Sequence, residues 1–220
     1  MTQAKSADSS KPRRHQGRKA VITRDDLINA ALALVGPHRS VSTLSLREVT
    51  REAGIAPNSF YRHFHDTDEL AVALIDKAGT ALRDIIGQAR TRAASNRSVV
   101  RSSIEAFMEQ LGADEKFLPI LLREGTVGSE AFKTAVERQL QFFEEELCSD
   151  LVRLAEANKT GIVHAPLVAK AITRLVFAMG ATAMDRPAAE HPAIVEEMVV
   201  MVRMIIVGTQ TMAREGTRLG

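Results

Sequence analysis

The sequence predicts an all-α protein, with a small N-terminal helix-turn-helix domain of three helices and a larger C-terminal helical domain. Apolar residues recur at intervals of three, four or seven from Thr23 onwards, which is the spacing of helices that bury one face. The alternating pattern of a half-buried strand is absent. A Gly-Ile-Ala-Pro breaker, residues 54–57, separates two short amphipathic segments. We therefore expect about nine helices and divide the chain into residues 1–20, 21–67 and 68–220.

The N-terminal part begins with a basic arm and a capped helix. Residues 1–20 are rich in Ser, Lys and Arg and almost free of large apolar side chains, so we expect this arm to be disordered in the free protein. Thr23 followed by Asp26 is a capping-box pattern and predicts the start of the first helix. The apolar face of that helix consists of Leu27, Ala30, Ala31 and Leu34.

Local signals also place the second and third helices. Ser45 and Glu48 form another capping-box pattern, and Gly54 ends the helix that they open. Pro57 suits the first turn of a third helix, where its missing N–H is not needed, and we expect this helix to end near Phe64.

The remaining helices are predicted from apolar periodicity. The fourth runs from Asp66 to about Arg92, with acidic residues in its first turn that complement the helix dipole. Five more helices are expected at 98–111, 114–124, 129–157, 164–185 and 191–214.

The sequence is that expected of a soluble, cytoplasmic protein. Arg203 interrupts the longest apolar run, Met198–Val207, which is shorter than the roughly 20 residues that cross a bilayer. The N-terminal residues lack the apolar segment of a secretory signal. Cys148 is the single cysteine, which excludes an intrachain disulfide and is typical of a reducing compartment.

Positive charge is concentrated near the N-terminus. Residues 1–65 contain 11 Lys and Arg against 5 Asp and Glu, whereas residues 66–220 contain 18 against 22. A basic end on a mildly acidic body indicates contact with a polyanion. A solvated tail with ordinary surface charge is the alternative.

Residues 46–64 have the anatomy of a helix-turn-helix, with a Gly-containing turn between two helices. Phe60 and Phe64 are spaced to anchor the second of these helices to the core, which leaves its polar residues for other faces. A DNA-recognition helix needs that division. The alternative is a surface helical hairpin whose polar residues are incidental.

The segment TLSLREVTREAGIAPNSFYRHFHDTDEL, residues 43–70, resembles the DNA-binding region of the TetR family of bacterial transcriptional regulators. Within it, REAGIAP and SFYRHF, together with the later LLRE and its following AF and AV pairs, are similar to FabR and DesT, regulators of unsaturated fatty-acid synthesis. The family likeness implies a dimeric, ligand-responsive repressor that is not an enzyme and needs no cofactor or metal.

The resemblance assigns DNA-contacting residues by position. Thr43, Ser45 and Arg47 would contact backbone phosphate, Pro57, Asn58 and Ser59 would face base edges, and Tyr61 and His63 would contact phosphate. Basic residues of the arm would order along a minor groove, namely Arg13, Arg14, Arg18 and Lys19.

Two positions depart from the family pattern. Thr50 stands where Ala is usual on the packed face of the second helix. The stretch His65–Asp68 lacks the Lys that often contacts phosphate at the start of the fourth helix, which leaves that contact to backbone N–H groups.

The C-terminal domain contains Phe and Met residues at helical spacing. Such residues are either plain core or, as the resemblance implies, the lining of an effector pocket. The predicted lining is Phe107, Met108, Phe117, Leu121, Leu122, Arg123, Phe132, Phe143 and Phe177. The FabR and DesT likeness favours an acyl-CoA or an acyl carrier protein thioester as effector. Arg123 and Glu124 are either an exposed ion pair or a partly buried pair that couples pocket and fourth helix.

The last two helices are predicted to form a dimer interface. The final helix is apolar over more of its circumference than a surface helix needs, and small residues precede it. The predicted interface consists of Ala181, Val195, Met198, Val199, Val202, Ile205 and Ile206. A two-fold dimer would place its recognition helices about 34 Å apart and read a palindromic operator.

Three other kinds of function are alternatives to a TetR-type regulator of fatty-acid genes. No metal-spaced His/Cys cluster, phosphate-binding loop or nucleophile motif is present in the sequence, which disfavours an enzyme. A repressor of efflux or catabolic genes with another hydrophobic effector remains open. So does a helical acyl-lipid binding module without DNA function.

Overall fold

The structure, a computed structural model, describes residues 22–35, 39–93, 98–114 and 116–216, apart from the side chain of Val127. Within these ranges the chain forms nine α-helices and no strand, which confirms the predicted fold class. The helices are α1 (Arg24–Leu34), α2 (Leu46–Glu52), α3 (Pro57–Phe60), α4 (Thr67–Ala93), α5 (Val99–Glu109), α6 (Phe117–Val127), α7 (Glu130–Ala157), α8 (Ala165–Met184) and α9 (His191–Glu215). Two short 3-10 helices, Val41–Thr43 and Ala188–Glu190, were not predicted.

Helix α1 packs on α2 and α4, and α2 packs on α3. Leu27, Phe60 and Phe64 are buried at the centre of this group. The Arg24 guanidinium lies 4.4 Å from the centroid of the Phe64 ring and 3.2 Å from a carboxylate oxygen of Glu69. These contacts join the first helix to the beginning of the fourth.

Helix α4 is shared by both parts of the protein. Its start contacts α1, and it also packs on α5, α6 and α7. Because one continuous helix joins both parts, movement in the body of the protein has a direct route to α1–α3. The division at residue 67 remains a prediction.

A hydrogen-bonded clamp joins α4 to α7. Gln139 of α7 accepts a hydrogen bond from Arg83 Nη1 at 2.5 Å and donates one to Asp76 Oδ1 at 2.7 Å. The side chain of Gln139 is buried and lies over Gly79, where a Cβ atom would come within 2.3 Å of Gln139 Oε1. Only glycine therefore leaves room for this clamp.

Among the described helices, α8 is long and apolar enough to cross a membrane by length and composition alone. In the structure α8 packs on α7, α6 and α9, and Ala169, Phe177 and Ala183 are buried. Glu137 and Glu144 of α7 hydrogen-bond to Arg174 of α8 and raise the pKa of its guanidinium. The surroundings of α8 are those of a core helix in a helical bundle.

Candidate DNA-binding surface and ligand cavity

The start of α2 is fixed by hydrogen bonds to one carboxylate oxygen. Glu48 Oε2 accepts hydrogen bonds from the Ser45 N–H at 3.1 Å, the Ser45 hydroxyl at 2.9 Å and Arg39 Nη2 at 2.9 Å. Ser45 Oγ accepts in turn from the Glu48 N–H, so the predicted capping box is present. The backbone N–H of Ser45 is the main cause of the lowered pKa of Glu48, followed by the Ser45 hydroxyl and Arg39.

The turn after α2 requires glycine. Gly54 has a φ of 67°, in the left-handed region that other residues rarely adopt. The N–H of Gly54 donates to the Arg51 carbonyl at 3.1 Å, and the N–H of Ile55 donates to the Thr50 carbonyl at 2.9 Å, which is a Schellman motif. The hydroxyl of Thr50 is buried but donates to the Leu46 carbonyl at 2.9 Å, so threonine is accommodated at this position.

The third helix is shorter than the sequence predicts. Regular helix ends at Phe60 instead of near Phe64, although the N–H groups of His63 and Phe64 still donate to the Phe60 carbonyl. Residues 61–63 therefore form a hydrogen-bonded turn directly after α3. Tyr61 is 61% exposed, and its ring lies edge-on to the buried Phe60 ring, with 5.7 Å between centroids.

The predicted DNA-contacting residues lie on or beside α2 and α3. Thr43, Ser45, Arg47, Pro57, Asn58 and Tyr61 are exposed, while Ser59 and His63 are half-buried. The hydroxyls of Thr43 and Ser45 already form hydrogen bonds within the chain, to the Ser40 carbonyl and to Glu48. The arm residues Arg13, Arg14, Arg18 and Lys19 lie outside the described residues.

Acidic side chains occupy the start of α4. Asp66 Oδ1 accepts from the Glu69 N–H at 2.8 Å, and Glu69 Oε2 accepts from the His65 N–H at 2.7 Å. The His65 N–H is the main cause of the lowered pKa of Glu69. Two of the N–H groups that were expected to replace the missing Lys are therefore already bonded.

An apolar cavity of about 130 Å³ lies in the C-terminal domain, between α4, α5, α7, α8 and α9. Phe107, Phe143 and Phe177, three residues of the predicted effector pocket, are among the residues around it. Its polar lining residues were not predicted and comprise Arg90, Ser103, Asp150 and Thr173. Helical periodicity shows which face of a helix is buried, but it does not show which buried faces surround a cavity. The positions of these four polar residues on their helices are therefore the only signal in the sequence that could have suggested them.

Six residues of the predicted lining do not line this cavity. Helices α6 and α7 direct Leu121, Leu122 and Phe132 into the core, and Met108 of α5 is also buried. Phe117 and Arg123 are half-buried. Met108, Leu121, Leu122 and Phe132 are therefore core residues, as the alternative interpretation of the sequence states. The reason for Leu121 and Leu122 is that α6 packs on α4 and α7 outside the cavity.

The structure places most of the predicted dimer residues inside the protomer. Val195, Met198, Val199 and Val202 are buried within the protomer, and Val202 and Ile206 line the cavity. Ala181 and Ile205 are half-buried. Gly180 of α8 makes a close contact inside the protomer, since a Cβ there would lie 2.7 Å from the Phe107 ring. The exposed apolar side chains of α8 and α9 are Leu167, Val200, Met201, Met204 and Val207.

Glu124 lies between the two parts of the protein and is buried, so the alternative of an exposed ion pair is wrong for this residue. Its Oε1 accepts a hydrogen bond from the backbone N–H of Val41, just before α2. Arg123, the preceding residue, is half-buried and so differs from Glu124 in exposure.

The fold and surface described above define a helix-turn-helix protein with a ligand-sized cavity in a separate helical part. Residues 27–74 match the family described as bacterial regulatory proteins, tetR family, over its N-terminal domain. Residues 27–74 are therefore similar to the N-terminal domain of TetR-type regulators, and this match supports a TetR-type transcriptional regulator.

Solved structures with the same fold cover most of the chain. A TetR-family transcriptional regulator from Streptomyces coelicolor is 19% identical, with a TM-score of 0.64 over 87% of this chain and 83% of that one. The fatty acid degradation regulator FadR from Bacillus halodurans is 15% identical, with a TM-score of 0.60 over 84% and 99%. RolR in complex with resorcinol is 19% identical, with a TM-score of 0.59 over 86% and 92%. At these identities the likeness shows the fold alone.

Proposed function

We propose that this protein is a ligand-responsive transcriptional repressor that binds a palindromic operator as a homodimer. The observation that carries the proposal is the match of residues 27–74 to the TetR family, combined with the exposed polar surface of α2 and α3 in the same segment. A repressor is proposed rather than an activator because the likeness of residues 43–70 to the TetR family implies one. The proposed location is the bacterial cytoplasm, in association with the nucleoid.

The proposed DNA contacts divide into two kinds. Pro57, Asn58 and Ser59 at the start of α3 would face base edges in the major groove. Thr43, Ser45, Arg47, Tyr61 and His63 would contact phosphate and set the register, with the arm residues Arg13, Arg14, Arg18 and Lys19 along the minor groove. Ser45 and Thr43 would do so while keeping the hydrogen bonds that hold α2.

The proposed dimer interface is the exposed apolar face of α8 and α9. Val200, Met204 and Val207 recur at intervals of four and three on α9, which places them on one stripe. Exposed apolar stripes of this kind are typical of surfaces that a partner covers. We propose a second copy as the partner, because a palindromic operator requires two recognition helices related by two-fold symmetry.

The effector is proposed to be a hydrophobic molecule that enters the apolar cavity. An acyl-CoA or acyl carrier protein thioester is supported by the sequence likeness to FabR and DesT and by the apolar lining. Another hydrophobic small molecule, with efflux or catabolic target genes, is favoured by the cavity volume of about 130 Å³. Drug-sized ligands occupy sites of roughly 300–1,000 Å³. An acyl chain would therefore need the cavity to widen.

The test is specific binding of the full chain to promoter regions that flank its own gene. Binding is measured alone and in the presence of saturated acyl-CoA, unsaturated acyl-CoA or a small neutral aromatic compound. Specific binding that changes with acyl-CoA supports the fatty-acid class, and specific binding that changes only with the small compound supports the other class. Binding to DNA with no dependence on salt or sequence would contradict the proposal and favour the acyl-lipid binding module.

A further inference from the structure

The hydroxyl of Thr173, on the wall of the cavity, has no hydrogen-bond partner among the described residues. Thr173 of α8 is 5% exposed and belongs to the cavity lining. The hydroxyl is not fully enclosed by protein atoms, so a molecule in the cavity can reach it.

Other threonines on helices of this protein bond back to the carbonyl four residues earlier. That arrangement occurs at Thr50, Thr80, Thr91, Thr126, Thr134 and Thr182. Thr173 departs from this arrangement although it lies within the long helix α8. Its hydroxyl is thus available to a molecule inside the cavity.

The wall around Thr173 is shaped for a flat or compact apolar group. The Phe177 ring lies between the rings of Phe107 and Phe143, with 5.3 Å between centroids on each side and edge-to-face geometry. Aromatic rings present their edges favourably to the face of another ring. A single ring or a short branched chain would make such contacts.

The volume limits the size of that group. The cavity measures about 130 Å³, close to an engineered apolar cavity of about 150 Å³ that binds benzene. A long acyl chain has several times the carbon atoms of a benzene ring. The cavity in its present form therefore fits a compact molecule.

The charged residues that line the cavity, Arg90 and Asp150, are paired with opposite charges. Arg90 Nε lies 2.8 Å from Asp150 and Arg90 Nη2 lies 3.7 Å from Glu146, while Arg153 Nη2 lies 2.6 Å from Asp150. Arg90 and Asp150 also line a second depression of about 270 Å³. An anionic ligand would have to compete with carboxylates that are already in place, so an uncharged ligand is favoured.

We propose that the effector of this cavity is a compact, neutral and largely apolar molecule with one hydroxyl or carbonyl that hydrogen-bonds to Thr173. That such a ligand regulates DNA binding rests on the proposed function, because the ligand occupies the cavity proposed there for the effector. The binding chemistry itself depends only on the cavity. It can therefore fail or succeed independently of DNA binding.

The experiment is calorimetric titration of the purified, DNA-free full chain with phenol, toluene, benzoate and palmitoyl-CoA. Phenol and toluene have nearly the same shape and differ in one hydroxyl, and benzoate adds a negative charge. We expect phenol to bind about two- to tenfold more tightly than toluene, which is the range for one net hydrogen bond, and more tightly than benzoate. Thr173→Val should abolish the preference for phenol, and Thr134→Val on the exposed face of α7 should keep it.

Thr173→Val keeps the shape of the side chain and removes a hydroxyl that has no partner among the described residues, so it should fold at least as well as the parent protein. Three results would overturn the proposal. They are equal binding of phenol and toluene to the parent protein, a preference that persists in Thr173→Val, and binding of palmitoyl-CoA or benzoate without binding of phenol. Operator binding is measured separately, so its loss would overturn the proposed function while leaving these titrations valid.

Discussion

Glu124 of α6 accepts a hydrogen bond from the backbone N–H of Val41, with 3.0 Å between Glu124 Oε1 and Val41 N. Glu124 is 1% exposed, and its second oxygen has no hydrogen-bond partner among the described residues. Val41 begins the 3-10 helix that leads into α2. The Glu124 carboxylate thus links α6 to the 3-10 helix that precedes α2, next to the proposed DNA-binding surface.

Glu124→Ala should destabilise the protein and loosen this tie. The change leaves the buried N–H of Val41 without an acceptor, which costs about 1–3 kcal/mol. The free energy of unfolding from urea denaturation measures the effect, with the exposed Glu145→Ala on α7 as control. If both variants unfold like the parent protein, the hydrogen bond does not contribute to stability.

Gly79→Ala and Gly87→Ala form a matched pair on α4. A Cβ at Gly79 would collide with Gln139, which is held by Arg83 and Asp76, whereas a Cβ at Gly87 meets nothing within 4 Å. We expect Gly79→Ala to lower the free energy of unfolding by about 1–3 kcal/mol through overpacking. Gly87→Ala should raise it by up to about 1 kcal/mol through helix propensity. Equal effects in thermal denaturation would show that Gln139 moves aside freely.

Acid should weaken the DNA-binding part of the protein. Hydrogen bonds from the backbone N–H groups of Thr23, Ser45 and His65 are the main causes of the lowered pKa values of Asp26, Glu48 and Glu69. A carboxylate whose pKa is lower in the folded state stabilises the fold above its unfolded pKa, and this contribution disappears as the pH falls through the folded pKa. The ordinary pKa values are 3.8 for Asp and 4.5 for Glu, so the loss is expected below this range.

Glu48→Gln provides the check on this acid dependence. The variant should be less stable than the parent protein at neutral pH, and the difference should shrink as the pH is lowered below 4.5. Amide hydrogen exchange in α1 and α2 measures it. A difference that stays constant down to strongly acid pH would mean that Glu48 does not titrate differently in the folded state.

Tyr61→Phe and Asn58→Ala should affect DNA binding differently. Tyr61 is assigned to phosphate, so loss of its hydroxyl should weaken binding to all sequences similarly. Asn58 is assigned to a base edge, so its loss should cost about 1–3 kcal/mol on the operator and relax the preference at one base pair. Binding is compared on operator and scrambled DNA, with Asn158→Ala at the end of α7 as control. If both variants bind like the parent protein, α3 is not the recognition helix.

Met204→Glu should separate the dimer into monomers. Met204 is 67% exposed at the centre of the apolar stripe on α9, and a charge placed there would be buried without a partner in a dimer. Sedimentation equilibrium measures the mass, with Val152→Glu on the exposed side of α7 as control. A parent protein that sediments as a monomer, or a Met204→Glu variant that stays dimeric, would rule out this face.

The fold could be predicted from the sequence because its signals are local. Ser45 with Glu48 marks a helix start, and Gly54 marks a helix end, through contacts between residues only a few positions apart. The same is true of Thr23 with Asp26. The TetR-like segment adds a pattern specific enough to identify the DNA-binding domain.

The cavity and the dimer face depend on how distant helices pack, which periodicity does not determine. Met198 and Met204 are both apolar residues of α9, yet one is buried in the protomer and the other is the most exposed of its apolar residues. Likewise, Phe132 and Phe143 both lie on α7, and only Phe143 reaches the cavity. The Glu124–Val41 hydrogen bond joins residues 83 positions apart and has no signature in the sequence.

The most direct test of the central claim is selection of bound sequences from random double-stranded DNA by the purified full chain. This measurement does not depend on where the operator lies in a genome. We expect enrichment of a palindrome with half-sites about one helical turn apart, and loss of preference at one position in each half-site for Asn58→Ala. Absence of any enriched sequence, or enrichment that Asn58→Ala and Tyr61→Phe leave unchanged, would contradict the assignment of α2 and α3 as the DNA-binding surface.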